Sequence, residues 1–140
     1  MPEAAAGDPS ARNTAPRAPV VAIVDDDPAI RSALSRLARS LGYAPAPFAG
    51  AEPLLSAADD AGIAVVVTDV QMPGLSGLDL LRLLRLRRPT LPVIVMTAYP
   101  SESSRARALA SGAFAYLAKP FDAEQFERCL GSVLGNARNP

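Results

Sequence analysis

The chain has 140 residues, 49% of them apolar, with 14 basic and 14 acidic side chains and no histidine. That length and apolar share suit one domain with one substantial core, and the zero formal charge excludes a global field that would draw the protein onto nucleic acid or an anionic membrane. Histidine catalysis and most zinc sites are excluded too, and the single Cys129 can form neither an internal disulfide nor a cysteine metal cluster, which fits a reducing cytoplasm.

Met1–Pro19 is rich in Ala and Pro and too poor in large apolar residues to offset its ordering entropy, so it predicts a flexible tail. It also lacks the basic start and apolar stretch of a signal peptide, and no uninterrupted apolar run reaches the roughly 18 residues of a membrane span. The domain itself is expected over residues 20–136, with a short tail at 137–140.

From Val20 onward, short apolar runs alternate with segments of helical period, the rhythm of a parallel sheet covered by helices on both faces. Val20–Val24 reads as a central buried strand that stops at Asp25, Asp26 and Asp27. Asp27 and Pro28 start a helix, since Asp caps free N–H groups and Pro at the first helical position wastes none; Ile30, Leu34, Leu37 and Leu41 share its apolar face, and Gly42 ends it. Tyr43–Phe48 predicts a second strand, confined to an edge by Pro45 and Pro47. A short helix near Ala51–Ala58 precedes the most apolar strand, Ile63–Thr68, which also stops at an acid, Asp69.

Ser76–Arg88 carries Leu78, Leu81 and Leu84 at helical spacing, with Asp79 three residues after the cap Ser76. Arg82, Arg85, Arg87 and Arg88 complement the negative end of that helix and read as a solvated face. Pro92–Met96 is the fourth strand, Ser101–Ser111 a helix closed by Gly112, and Ala113–Leu117 the fifth strand. The last helix, Ala123–Leu134, opens at Asp122 with Gln125 three residues on and buries Phe126, Leu130 and Val133, with Cys129 packed beside that face.

Ligands of an open parallel sheet sit beyond the carboxyl ends of its strands, which brings Asp25, Asp26 and Asp69 to one edge together with Thr97 and Lys119. Two unit charges about 4 Å apart repel by roughly 1 kcal/mol even in water, so clustered carboxylates call for a counter-charge. Mg2+ takes oxygen ligands and keeps open positions, and Lys119 would neutralise part of the remainder. A carboxylate in such a setting can itself act as nucleophile toward phosphorus.

Val24-Asp25-Asp26-Asp27-Pro28, Thr68-Asp69-Val70-Gln71-Met72-Pro73-Gly74, Met96-Thr97-Ala98 and Tyr116-Leu117-Ala118-Lys119-Pro120-Phe121 resemble, in order and spacing, the four motifs of response-regulator receiver domains of two-component signalling. The resemblance covers about Val20–Leu134. It implies a flavodoxin-like (βα)5 fold, a doubly wound five-stranded parallel sheet in the order 2-1-3-4-5. By the same resemblance Asp69 is the phosphoacceptor, and Asp26, Asp69 and the Gln71 backbone carbonyl hold Mg2+, with Asp25 acting through a metal-bound water. Thr97 and Lys119 would bind phosphoryl oxygens, the Lys119–Pro120 peptide would be cis, Gln71 and Tyr99 would flank the phosphoryl group, and Tyr116 would move with Thr97 to remodel the face of the fourth helix, fifth strand and fifth helix.

The phosphoryl donor implied is a histidine kinase or histidine phosphotransfer protein, and the reader of that face is a downstream partner, an attached effector or a second copy of the chain. No DNA-binding or enzymatic segment follows the last helix, so the expectation is a single-domain regulator or a part cut from a longer one, binding no nucleic acid itself. A receiver-like module that is never phosphorylated is the nearest alternative. An aspartate-based Mg2+ phosphatase would need an acid two residues after Asp69, where Gln71 stands, and a flavodoxin-like nucleotide binder would meet repulsion from Asp25, Asp26 and Asp27.

Overall fold

A computed structural model describes residues 18–58 and 62–135. The expected tails therefore lie outside the described residues, apart from Ala18 and Pro19. Strand β1 (Val20–Val24) leads to α1 (Pro28–Ser40), β2 (Ala44–Phe48), α2 (Ala51–Ala57) and β3 (Ile63–Asp69). Then follow α3 (Gly77–Arg87), β4 (Val93–Thr97), α4 (Glu102–Ala110), β5 (Ala115–Ala118) and α5 (Ala123–Leu134). All strand pairings are parallel and the sheet runs β2-β1-β3-β4-β5, the order that the sequence led us to expect.

Alternation along the strands divides the apolar side chains between two layers. Ala22, Val24, Val66, Val93 and Val95 pack under α2, α3 and α4 with Leu54, Leu81 and Leu84. Val21, Ile23, Val65, Val67, Ile94 and Met96 point the other way, onto Leu34 and Ala38 of α1 and Phe126 and Leu130 of α5. With both faces covered, β1, β3 and β4 are apolar up to the polar residues at the ends of β3 and β4, Thr68, Asp69 and Thr97, which is why their sequences show no alternation of polar and apolar residues.

The edge position of β2 follows from its hydrogen bonds. The Ala44 N–H donates to the Pro19 carbonyl and the Phe48 carbonyl accepts from the Asp25 N–H. Alternate residues thus face β1, and Pro45 and Pro47 fall where a missing N–H costs nothing.

Four of the five described helix starts carry a side-chain cap, and only α2, which starts after Gly50, lacks one. Asp27 accepts from the Ala29 N–H at 2.9 Å, and Ser76 with Asp79 and Asp122 with Gln125 form reciprocal capping boxes. Gly42 (φ 94°) and Gly112 (φ 102°) take the left-handed turn out of α1 and α4.

Four expectations shift. Tyr43 and Ala113 do not begin strands: their N–H groups donate to the carbonyls of Ala38 and Ala108, so both still belong to the turns that close α1 and α4. β4 starts at Val93 and continues through Thr97, one residue later than expected. Val133 is only half-buried, at the rim of the layer formed around Phe126 and Leu130.

Of the four arginines expected on a solvated face, Arg82 and Arg87 are exposed, whereas Arg85 and Arg88 are half-buried. Arg85 donates to the Leu91 carbonyl, Arg88 to the Ala58 carbonyl at 2.8 Å and Arg87 to the Leu55 carbonyl at 3.3 Å, while Arg82 pairs with Asp79. Arg85, Arg87 and Arg88 tie the end of α3 to α2 and to the approach to β4.

Candidate phosphoryl and metal site

β1 and β3 end side by side, Val24 level with Thr68, and deliver their terminal acids to the same edge. Carboxylate oxygens of Asp25, Asp26 and Asp69 lie within 4.8 Å of one another; Asp25 and Asp69 are buried and Asp26 is exposed. β5 brings Lys119 to the same place through its register with β4, the Lys119 N–H donating to the Thr97 carbonyl at 2.7 Å. The Lys119–Pro120 peptide is cis.

The Lys119 ammonium lies 3.0 Å from Asp25 Oδ2 and 3.5 Å from Asp69 Oδ1, so one cation spans two acids. Asp25 is further fixed by the Asp27 N–H, which donates to its Oδ1 at 2.9 Å, and by Arg31, which donates to its backbone carbonyl at 2.6 Å. Asp69 is less well served, because its buried Oδ1 has no hydrogen bond and only the longer, 3.5 Å ion pair with Lys119. Burial raises the Asp69 pKa above the usual carboxylate value, Lys119 pulls it down, and neighbouring Asp25 pushes it up again; the net direction is upward.

Three acids facing one ammonium leave an excess of two negative charges if all are ionised. That excess, an all-oxygen donor set and a buried carboxylate oxygen that meets only the Lys119 ammonium at 3.5 Å fit a hard divalent cation such as Mg2+. Asp25, Asp26 and Asp69 could therefore hold such an ion.

Across the site, Thr97 is fully buried. Its hydroxyl donates to Gln71 Oε1 at 3.0 Å and accepts from the Tyr99 N–H at 3.0 Å. Tyr99 itself is 74% exposed. Tyr116 packs on the layer under α2, α3 and α4, donates its hydroxyl to Ser104 at 3.0 Å and accepts from the Ser101 N–H at 3.3 Å, which joins β5 to the start of α4.

The structure thus brings together Asp25, Asp26, Asp69 and Lys119, with Thr97 and Gln71 paired beside them, and holds Tyr116 against α4. Two participants, Arg31 and Ser104, and one contact of the already expected Gln71 escaped sequence reasoning. Arg31 lies six residues beyond Asp25, and only the turn into α1 folds it back. Ser104 carries no signal beyond its place in the first turn of α4, and the Gln71 side chain reaches a residue 26 positions away.

The response regulator receiver domain family matches residues 21–130. The DNA-binding transcriptional regulator NtrC of Salmonella typhimurium is 39% identical over 106 residues, which cover 76% of this chain and 23% of that protein. The transcriptional regulatory protein FixJ of Bradyrhizobium diazoefficiens is 31% identical over 115 residues, 82% of this chain and 56% of its own. The chain thus spans less than two thirds of the length of either relative. Among solved structures, the chemotaxis protein CheY4 of Vibrio cholerae matches with a TM-score of 0.79 at 28% identity, covering 83% of this chain and 98% of that one. The BeF3-activated DrrB receiver domain matches with a TM-score of 0.77 at 30% identity, covering 84% and 98%. With strand order, acidic edge and family match in agreement, the chain belongs to the response regulator receiver domain family.

Proposed function

We propose that this domain is a phosphorylation switch that takes a phosphoryl group onto Asp69 from the phosphohistidine of a kinase or phosphotransfer protein. The observation that carries this reading is the convergence of Asp25, Asp26 and Asp69 within 4.8 Å, with Lys119 bridging two of them. An Asp69 oxygen attacks phosphorus, the phosphorus–nitrogen bond to the donor breaks, and the imidazole leaves with the bonding electrons. Hydrolysis of the acyl phosphate by water later resets Asp69.

Asp26, Asp69 and the Gln71 backbone carbonyl would hold Mg2+, with Asp25 contributing through a water. When bound, the ion supplies charge neutralisation for the transferring group. Lys119 binds a second phosphoryl oxygen, and the Thr97 hydroxyl turns inward to a third. Tyr99 and the Gln71 side chain flank the group and limit access of water. An apolar hollow of about 530 Å³ beside Lys119, lined by Ile30, Leu34, Ala98 and Phe121, supports docking of the donor from the α1 side.

Output runs through Thr97 and Tyr116 to the α4-β5-α5 face. Tyr116 holds the start of α4, and Leu109 and Phe114 on that side are 37% and 48% exposed, a surface suited to a partner or a second copy. A kinase that draws on ATP places the exchange in the cytoplasm, and no described helix is long and apolar enough to cross a membrane.

Incubation with acetyl phosphate, followed by intact and peptide mass spectrometry, tests the assignment. The native chain should gain one phosphoryl group on the peptide containing Asp69, only with Mg2+ present, and Asp69→Asn should gain none. Equal labelling of Asp69→Asn would place the chemistry elsewhere.

A further inference from the structure

A hydroxyl has one proton to give, and the Thr97 proton is already engaged. It goes to Gln71 Oε1 at 3.0 Å, while the Tyr99 N–H occupies a lone pair on the same oxygen. Thr97 is fully buried, so water does not compete for it. Gln71 is exposed, and its amide can exchange the contact for water at little cost. An acceptor arriving at Asp69 must therefore take the Thr97 proton from Gln71 first.

We infer that the Gln71 side chain is a latch on Thr97, a positioning residue that biases the domain toward its resting state. The inference rests on the reading of Asp69 as phosphoacceptor, and it adds a function for the Gln71 amide that is separate from its backbone carbonyl. The latch opposes capture of the phosphoryl group rather than its hydrolysis. Its strength is that of one neutral hydrogen bond whose acceptor is compensated by solvent, which corresponds to about a fivefold effect on binding at Asp69.

Beryllofluoride titrated into the full chain with Mg2+, followed by amide NMR, reads the effect. Gln71→Met matches the length without offering an acceptor, and should bind beryllofluoride about fivefold more tightly. Because the effect runs through one hydroxyl, Gln71→Met added to Thr97→Val should change nothing further. Gln71 is exposed, so the first comparison does not depend on a risk to folding. No gain from Gln71→Met, or an equal gain in the Thr97→Val background, overturns the latch alone. Absence of beryllofluoride binding by the native chain overturns the phosphoacceptor reading itself.

Discussion

Asp69 carries its charge against its surroundings. Burial is the largest influence on its pKa and Asp25 adds to it, and together they outweigh the attraction of Lys119. The folded chain thus binds the Asp69 proton more tightly than the unfolded chain does. The resulting stabilisation is complete below about pH 4 and is lost as pH rises through the elevated folded value. At neutral pH with a chelator present, Asp69→Asn should therefore melt at a higher temperature than the native chain, and the gap should close as pH falls toward about 4. Melting curves across that range check this; a native chain more stable than Asp69→Asn at neutral pH would contradict it. At this scale the acids, Thr97 and Lys119 were legible because each is a polar residue interrupting or ending an apolar run. The bond between Thr97 and the Gln71 side chain and the hold of Arg31 on Asp25 were not, because each depends on where a long side chain turns after the backbone is in place.

Among the elements, α3 matters most to the site because its first turn backs directly onto the end of β3. The Gly77 N–H donates to the Val70 carbonyl at 2.9 Å, and a Cβ at Gly77 would stand 2.1 Å from the Asp69 carbonyl oxygen and 2.9 Å from the Val70 Cα. Both obstacles are backbone, so Gly77→Ala must displace either the helix or the end of β3 that carries Asp69. It should lower stability by about 2 kcal/mol and slow modification of Asp69. Gly131, inside α5, meets nothing within 4 Å, and Gly131→Ala should raise stability by about 0.5–1 kcal/mol. Urea unfolding of both variants checks the pair; similar effects at the two positions would refute the steric argument. Helix starts were readable because caps act within three residues, as Ser76 with Asp79 shows. The clamps made by Arg87 and Arg88 were not, since their carbonyl partners lie 32 and 30 positions away and leave no mark on local spacing.

For the whole molecule, the alternation of apolar runs with helical segments was enough to indicate a two-faced parallel sheet, and the prolines of β2 to indicate its edge. Strand ends blurred where a helix-closing turn runs into the next strand, as at Tyr43 and Ala113, because apolar residues serve both purposes equally well. The same architecture sets acid chemistry at one edge of the sheet and a tyrosine-held helix start beside it, with Thr97 between them. In the function proposed above, a change of charge at Asp69 would alter the surface around α4 through this arrangement. The most direct measurement is a crystal structure of the chain with beryllofluoride and Mg2+. The adduct should sit on Asp69, the cation should contact Asp26, Asp69 and the Gln71 carbonyl, and the Thr97 hydroxyl should have left Gln71 for a fluoride. An adduct on another side chain, or a cation that touches neither Asp26 nor Asp69, would contradict the account.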